Sequence, residues 1–278
     1  MAVSNTTTLA SLLPEIVAEA IFTANERSLM RALVRNFTIP AGSGVTIKVP
    51  VYPVTAAAAL TEGVAPTALA VDTGSKSITV GEVGMTAVIS DLAMIGSSSN
   101  VVADIGGQFG RGIAQKIDED LCALFDGFAT ELGGATTALT PALIFEAIAT
   151  LRKSNVPASD LACVIHPEIA YDLKSGLTNT FAQPNSGMNS QVMQDSYIGN
   201  ISGVNIYESS AMGIATRVSK GALFHKDALG LAMMKDISIE TQRESTQRSD
   251  TLTATAVYGV GELIDLYGVE LHNQTSLT

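Results

Sequence analysis

Residues 52–75 (YPVTAAAALTEGVAPTALAVDTGS) join two strand-like stretches and hold almost nothing large enough to bury. The segment contains seven alanines and, after Tyr52, no aromatic residue. Before it, Val45, Ile47, Val49 and Val51 alternate with their neighbours. After it, Ile78, Val80, Met85, Ala87 and Ile89 do the same, which is the period of a half-buried strand. Structureless segments of this length are uncommon inside compact domains, and a two-stranded hairpin is marginal alone in water. The expectation is an extended hairpin arm over residues 45–90 with no core of its own. Such an arm has to rest on another copy of the chain.

Composition points the same way. The 278 residues suit one large domain or two modest ones. Hydrophobic residues make up 46% and charged residues 15%, against a usual charged share of about a quarter. The mean hydropathy of +0.30 fits extensive burial between subunits. A membrane span is not expected, since no run approaches the roughly 20 apolar residues that one needs. The first residues lack the basic region of a secretory signal. A net charge of −11 without any basic block excludes tight gripping of nucleic acid through phosphates. An acidic inner wall around packed nucleic acid remains compatible, because it repels rather than grips. Cys122 and Cys163 form no disulfide framework, which suits a reducing compartment.

Along the chain, residues 14–37 read as a helix that starts near Pro14 and is ended by PAGSG at 40–44. A long helix over about 99–128 follows the arm. Its Val101, Ile105, Phe109, Ile113, Ile117, Leu121 and Phe125 recur every fourth residue. That spacing overshoots the helical turn, so the stripe drifts about 40° per step, and different neighbours must cover its two ends. The helix would span roughly 45 Å. Gly106, Gly107, Gly110 and Gly112 in its first half point to close packing or a bend.

Thr140 and Pro141 open a third helix as N-cap and first helical residue. LACVI at 161–165 reads as a buried strand, His166-Pro167 breaks it, and a short helix then ends at Gly176. Residues 177–200 form a polar loop. Short strands are expected at 204–207, 222–225 and 229–233, and a last one at 263–271. Stretches 237–241 and 252–258 flank a charged turn, TQRESTQRSD. Helices and antiparallel strands are segregated, which gives an α+β class.

This order of parts resembles the major capsid protein of tailed bacteriophages, the Hong Kong 97-like fold. ITVGEVGMTAVISDLA is similar to that family's return strand leading to its spine helix. LACVIHPEIAYDLKSG resembles its axial strand, break and helix, and YIGNISGVNIYESSAM its short-strand segment. The resemblance implies an N-terminal arm at 1–44, an extended loop at 45–90 and a spine helix of the peripheral domain at 91–138. An axial domain at 139–230 and peripheral-domain strands at 231–278 returning to the axial domain complete it. The chain departs from that pattern in beginning at the arm, without a long helical pre-domain, so scaffolding is expected from a separate protein or not at all. Some relatives crosslink a Lys to an Asn with a Glu assisting. Lys48, Glu62 and Lys76 lie in the matching loop, but nothing fixes an acceptor, and crosslinking is not expected here.

Chemical motifs are sparse. Asp118-Glu119-Asp120 point about 100° apart on a helix and cannot share one ion, so they read as a solvated or inter-subunit charged face. His166, His225 and His272 are the only histidines and lack HExxH or CxxC spacing. His166 reads as a turn residue, and Cys163 inside LACVI as a core residue rather than a nucleophile. GQFGRG at 107–112 and YGVGEL at 258–263 lack the context of a phosphate loop, and no GxSxG elbow occurs. No catalytic residue, metal or cofactor is expected. Arg243, Glu244 and Arg248 at the hairpin tip are either plain surface charge or an assembly contact.

The expected function is a structural, non-enzymatic major capsid protein of the virion, assembled in the host cytoplasm. Pentamers and hexamers would close into an icosahedral phage head. The head would enclose double-stranded DNA without sequence-specific binding, with a portal and separate scaffolding or decoration proteins as further partners. Candidate inter-subunit contacts are Lys48, Glu62, Lys76, Arg243, Glu244 and Arg248. The alternatives are an encapsulin-like shell around cargo enzymes, or a hydrolase or oxidoreductase whose site the sequence hides.

Overall fold

The computed structural model describes residues 28–40, 42–51, 74–96, 101–180 and 197–277, with Val17, Ala20, Ile21 and Ala59. A single helical turn α1 (Met30–Leu33) leads into β1 (Arg35–Thr38), followed by β2 (Thr46–Val51), β3 (Gly74–Thr79) and β4 (Gly81–Ser90). Next come α2 (Asp91–Gly96), the long α3 (Val101–Ala123) with a 3-10 turn at Leu124–Gly127, and β5 (Glu131–Gly133). The middle of the chain forms α4 (Pro141–Lys153), β6 (Leu161–Ile165), α5 (Pro167–Thr180), β7 (Tyr197–Ile201), β8 (Val204–Glu208) and β9 (Ile214–Ala215). The last strands are β10 (Val218–His225), β11 (Leu229–Glu244), β12 (Ser249–Glu262) and β13 (Gly268–Gln274).

Two sheets organise the body. One has the order β1-β11-β12-β4 and the other β5-β13-β10-β6-β8-β7, with β9 pairing β10. At 16 residues β11 is the longest strand, about 50 Å if fully extended. It turns at residues 245–248 into β12, so the charged stretch TQRESTQRSD is indeed a hairpin tip. The two strands expected at 229–233 and 237–241 are one, interrupted only by register shifts between Met233 and Lys235 and between Lys235 and Ser238. Bulges let one strand bend where two were anticipated.

α3 shows why a spacing of four needs two kinds of neighbour. Phe109, Ile113, Ile117, Leu121 and Phe125 are all buried along it. They share a core with Ile89 of β4, Ile237 and Ile239 of β11, and Leu252, Ala254 and Ala256 of β12. Beyond the helix end, Phe125 meets Phe224 of β10 at 5.5 Å between ring centroids. Both coverings come from the same chain. Helix α3 is 23 residues long, roughly 35 Å, and is shorter than expected because its last turn tightens to 3-10. Among its glycines, Gly112 has a clear packing reason: a Cβ there would meet the Met85 sulfur of β4 at 2.9 Å.

The second sheet lies between two cores. Ala162 and Val164 of β6 face the α3 core, while Leu161, Cys163 and Ile165 face a core built with α4 and α5. All five residues are buried. Thr140 caps α4 by accepting from the Leu143 N–H, with Pro141 at the start, as the sequence predicts. α5 runs through Gly176 to Thr180 rather than ending there. A glycine inside a helix costs about 1 kcal/mol, too little to stop one that is already packed.

The N-terminal region departs from the expected single helix over 14–37. Val17, Ala20 and Ile21 are helical and join the α3 core, but Arg35–Thr38 form a strand parallel to β11. The edge of β11 supplies backbone partners there, while Phe37 and Ile39 fill a small core with Val49, Ile78 and Leu263. Tertiary pairing overrides the helical pattern.

The arm also differs from expectation. β2 pairs with β3, joining Thr46 to Thr79 and Val51 to Gly74. β4 belongs to the body, antiparallel to β12 from Ser90 opposite Ser249 to Gly81 opposite Tyr258. The base of the arm is therefore seated on its own chain, contrary to the expectation that it has nothing of its own to fold onto. The seat is the YGVGEL segment. A Cβ on Gly259 would lie 2.3 Å from the Thr79 carbonyl oxygen, and one on Gly261 2.9 Å from the Ile78 side chain. These glycines serve close backbone approach, not phosphate binding. Residues 52–73, Ala59 excepted, lie outside the described residues.

Candidate assembly interface

The candidate contact residues fall into two groups at opposite ends of β12. At one end, Lys48 is exposed on β2, and Lys76 of β3 forms a 3.5 Å ion pair with Glu262. That pair ties the arm base to the body. At the other end, Arg243 donates two hydrogen bonds to Asp91, at 2.6 and 2.8 Å, and a third to Asp250 at 3.1 Å. The guanidinium holds the Asp91 carboxyl below its ordinary range, and Arg243 itself is pushed further up, first through this bond. Arg248 sits in the turn at φ 51°. Its side chain is 83% exposed, with Nε 3.9 Å from Asp91. Glu244 accepts from Gln242 at 3.0 Å. Glu62 lies outside the described residues. The structure thus brings Arg243 and Arg248 together on Asp91 and does not bring them to the lysines.

Asp91 is the residue that sequence reasoning missed. It begins α2 directly after β4, and its N–H donates to the Arg248 carbonyl at 3.0 Å. A carboxylate at a helix start beside a charged turn is a legible signal, but pairing across 152 residues is not.

The acidic triplet on α3 is corrected by the structure. Asp118 is buried and accepts from the Ser28 hydroxyl at 2.7 Å and from the N–H groups of Leu29 at 3.0 Å and Met30 at 3.2 Å. It caps α1 from another helix and anchors the N-terminal region. Burial pushes its carboxyl up, against the pull of those three hydrogen bonds. Asp120 accepts from the Tyr258 hydroxyl at 2.8 Å and pairs with Lys116 at 2.8 Å. Neither carboxylate is a plain solvated charge: Ser28–Met30 fold over Asp118, and Tyr258 of β12 reaches Asp120 from a different side of the helix.

The nucleophile candidates behave as core. Cys122 and Cys163 are buried, and burial pushes the Cys163 thiol up to about 12 and raises that of Cys122 as well. His166 Nδ1 accepts from the Glu168 N–H at 3.2 Å, the turn role expected of it, and burial lowers its pKa. His225 Nδ1 accepts from the Asp227 N–H at 3.1 Å in the same way. An open, mainly apolar groove of about 500 Å³ runs between the end of α3 and β9–β10, with Glu119, Asp126 and Lys220 on its wall. Among the described residues, no helix is long and apolar enough to cross a membrane.

Several large apolar side chains are exposed. Val88 (61%) and Leu92 (80%) lie near the hairpin tip, while Phe145 and Tyr171 project from α4 and α5. β4, β1, β5 and β7 end their sheets, so each presents an unpaired strand edge along the described chain.

A family model described as phage capsid protein matches residues 73–269, well over half the chain. No curated protein matches by sequence. Among solved structures, the capsid of cyanophage P-SCSP1u superposes with a TM-score of 0.69 at 17% identity, covering 90% of this chain and 89% of that one. A structure from Mycobacterium phage Che8 gives 0.65 at 20% identity over 83% and 85%. A virus-like particle from Pyrococcus furiosus gives 0.63 at 10% identity over 93% and 98%. At such identities these likenesses carry the mixed α+β fold, and the family model carries the assignment. The chain belongs to the phage capsid protein family and is a structural protein of the virion shell.

Proposed function

We propose that this chain is a Hong Kong 97-like major capsid protein that is not an enzyme and that closes into an icosahedral head through pentamers and hexamers around double-stranded DNA. In this reading the N-terminal arm covers residues 1–44 and the extended loop 45–90, whose body end, β4, pairs with β12. The spine covers 91–138, the axial domain 139–230 and the peripheral strands 231–278. The observation that carries the proposal is the capsid family match over 73–269. The glycine seat at Gly259 and Gly261 supports it, since it fixes where a ribbon with little core of its own leaves the body. The acidic balance, net charge −11, suits a wall that repels packed DNA rather than binding it.

The contacts between copies are proposed at the loop, through Lys48 and Glu62, and at the hairpin tip, through Arg248 and Glu244. Lys76 and Arg243 already hold partners in their own chain and would set the geometry of those two contacts. A portal and separate scaffolding or decoration proteins are the further partners of this reading. Electron microscopy of the purified protein under assembly conditions tests it, with closed shells as the expected result. A monodisperse monomer under every condition would overturn it. The likeness to the Pyrococcus furiosus virus-like particle favours a second reading, a compartment of the same fold. Native particles that contain protein cargo and no DNA would select that reading.

A further inference from the structure

We propose that Glu131, Glu270 and His272 form a site for a divalent transition-metal cation, Zn²⁺ by preference, at the β5 edge of the seven-stranded sheet. β5 lies parallel to β13 with Glu131 opposite Glu270, and Glu270 and His272 project from the same face of β13, two residues apart. One ligand atom from each of the three lies within 4.8 Å of the other two. His272 Nδ1 is 2.5 Å from Glu131 Oε1.

A second observation points to a cation. Glu270 is only 3% exposed, and its Oε1 is buried without a hydrogen bond. Lys220 Nζ forms an ion pair with that oxygen at 3.1 Å and also donates a hydrogen bond to Asp126. Asp126 and Glu270 thus share one ammonium group, while Glu131 meets His272. A buried carboxylate oxygen in that condition calls for a further partner.

The donor set selects the ion. An imidazole nitrogen with two carboxylates suits Zn²⁺, leaving a fourth tetrahedral position for water or for a ligand from outside the chain. Mg²⁺ prefers oxygen donors and retains its waters. Glu131 is the exposed member and forms the way in. A bound ion would staple the three-residue β5 to β13, closing an edge that otherwise depends on few backbone bonds. The sequence carries only a faint signal for this, Glu-x-His on one strand, because the third ligand comes from 139 residues earlier (270 − 131).

The test uses the full chain, stripped with a chelator and then titrated with Zn²⁺, by calorimetry and thermal unfolding. The expected result is one Zn²⁺ per chain with a raised Tm that the chelator reverses, and no such shift with Mg²⁺. Glu131→Gln and His272→Asn should each weaken Zn²⁺ binding by about tenfold or more. Both positions are at least partly accessible, so the folds should survive, and circular dichroism checks that they do. Co²⁺ gives an independent readout: intense visible bands of a four-coordinate ion in the wild type, lost in His272→Asn. Equal Zn²⁺ affinity in the wild type and both folded variants, or no Zn²⁺ binding by the wild type, overturns the proposal.

Discussion

β6 and the β2–β3 ribbon both read as apolar strands, yet they are held in opposite ways. Every residue of β6 is buried, with its two faces in two different cores. In the ribbon only Val49 of β2 and Ile78 of β3 are buried, and what buries them belongs to other elements. The central strand draws stability from the whole body, whereas the ribbon borrows its own from the glycines of β12. A segment with few buried contacts opens at lower free energy than the core. The ribbon is therefore the part of the described chain best suited to rearrange against a neighbour.

The largest effect should come from the core. Phe125→Ala removes a fully buried ring that joins α3 to β10 and should cost about 3–5 kcal/mol in denaturant unfolding. A much smaller loss would mean that α3 and β10 are less tightly joined than this ring contact implies. Gly259→Val should cost about 1–3 kcal/mol, because its Cβ would collide with the Thr79 backbone. Its signature is selective: amide exchange should quicken in 46–51 and 74–79 and stay unchanged in 161–165. Equal acceleration in both would abolish the distinction drawn between them.

Asp118→Ala leaves the Ser28 hydroxyl and two backbone N–H groups without their acceptor. The loss should be about 1–2 kcal/mol, moderated because the carboxylate's own burial cost disappears with it. Limited proteolysis near Ser28 is the sensitive readout. The smallest effect belongs to the exposed tip, where Arg243→Ala should leave global unfolding nearly unchanged while quickening exchange at 243–250.

Acid separates the two clasps by sign. Asp91 is held below its ordinary range. Its contribution is present above the unfolded pKa and is lost as pH falls through the lower folded value. Asp118 is raised, so its folded form takes up a proton more readily than the unfolded one, and acidification through that window favours folding at this site. Exchange measured along a descending pH series, corrected for intrinsic rates, should show the tip loosening while the α1 anchor holds. The reverse order would contradict both assignments.

Much of the fold was legible because it follows from local rules. Thr140-Pro141 starts α4, the apolar run at 161–165 is a buried strand, and TQRESTQRSD is a hairpin tip. The errors share one cause. Arg35–Thr38 became a strand because β11 offered an edge, β4 left the arm because β12 offered another, and Asp118 was buried because Ser28–Met30 folded over it. Each depends on a partner far away in sequence. The candidate contacts were partly legible as charge, but that Arg243 is engaged by Asp91 within its own chain could not be read from spacing.

By itself, the order of residues determined where α4 starts, that 161–165 is a buried strand, and how the long helix presents its drifting stripe. Periodicity and side-chain size act over a few turns and need no knowledge of the rest. Only the tertiary structure decided that Gly259 and Gly261 seat the ribbon, and that Glu131 meets Glu270 and His272. Those contacts exist only once strands distant in the chain have taken their register.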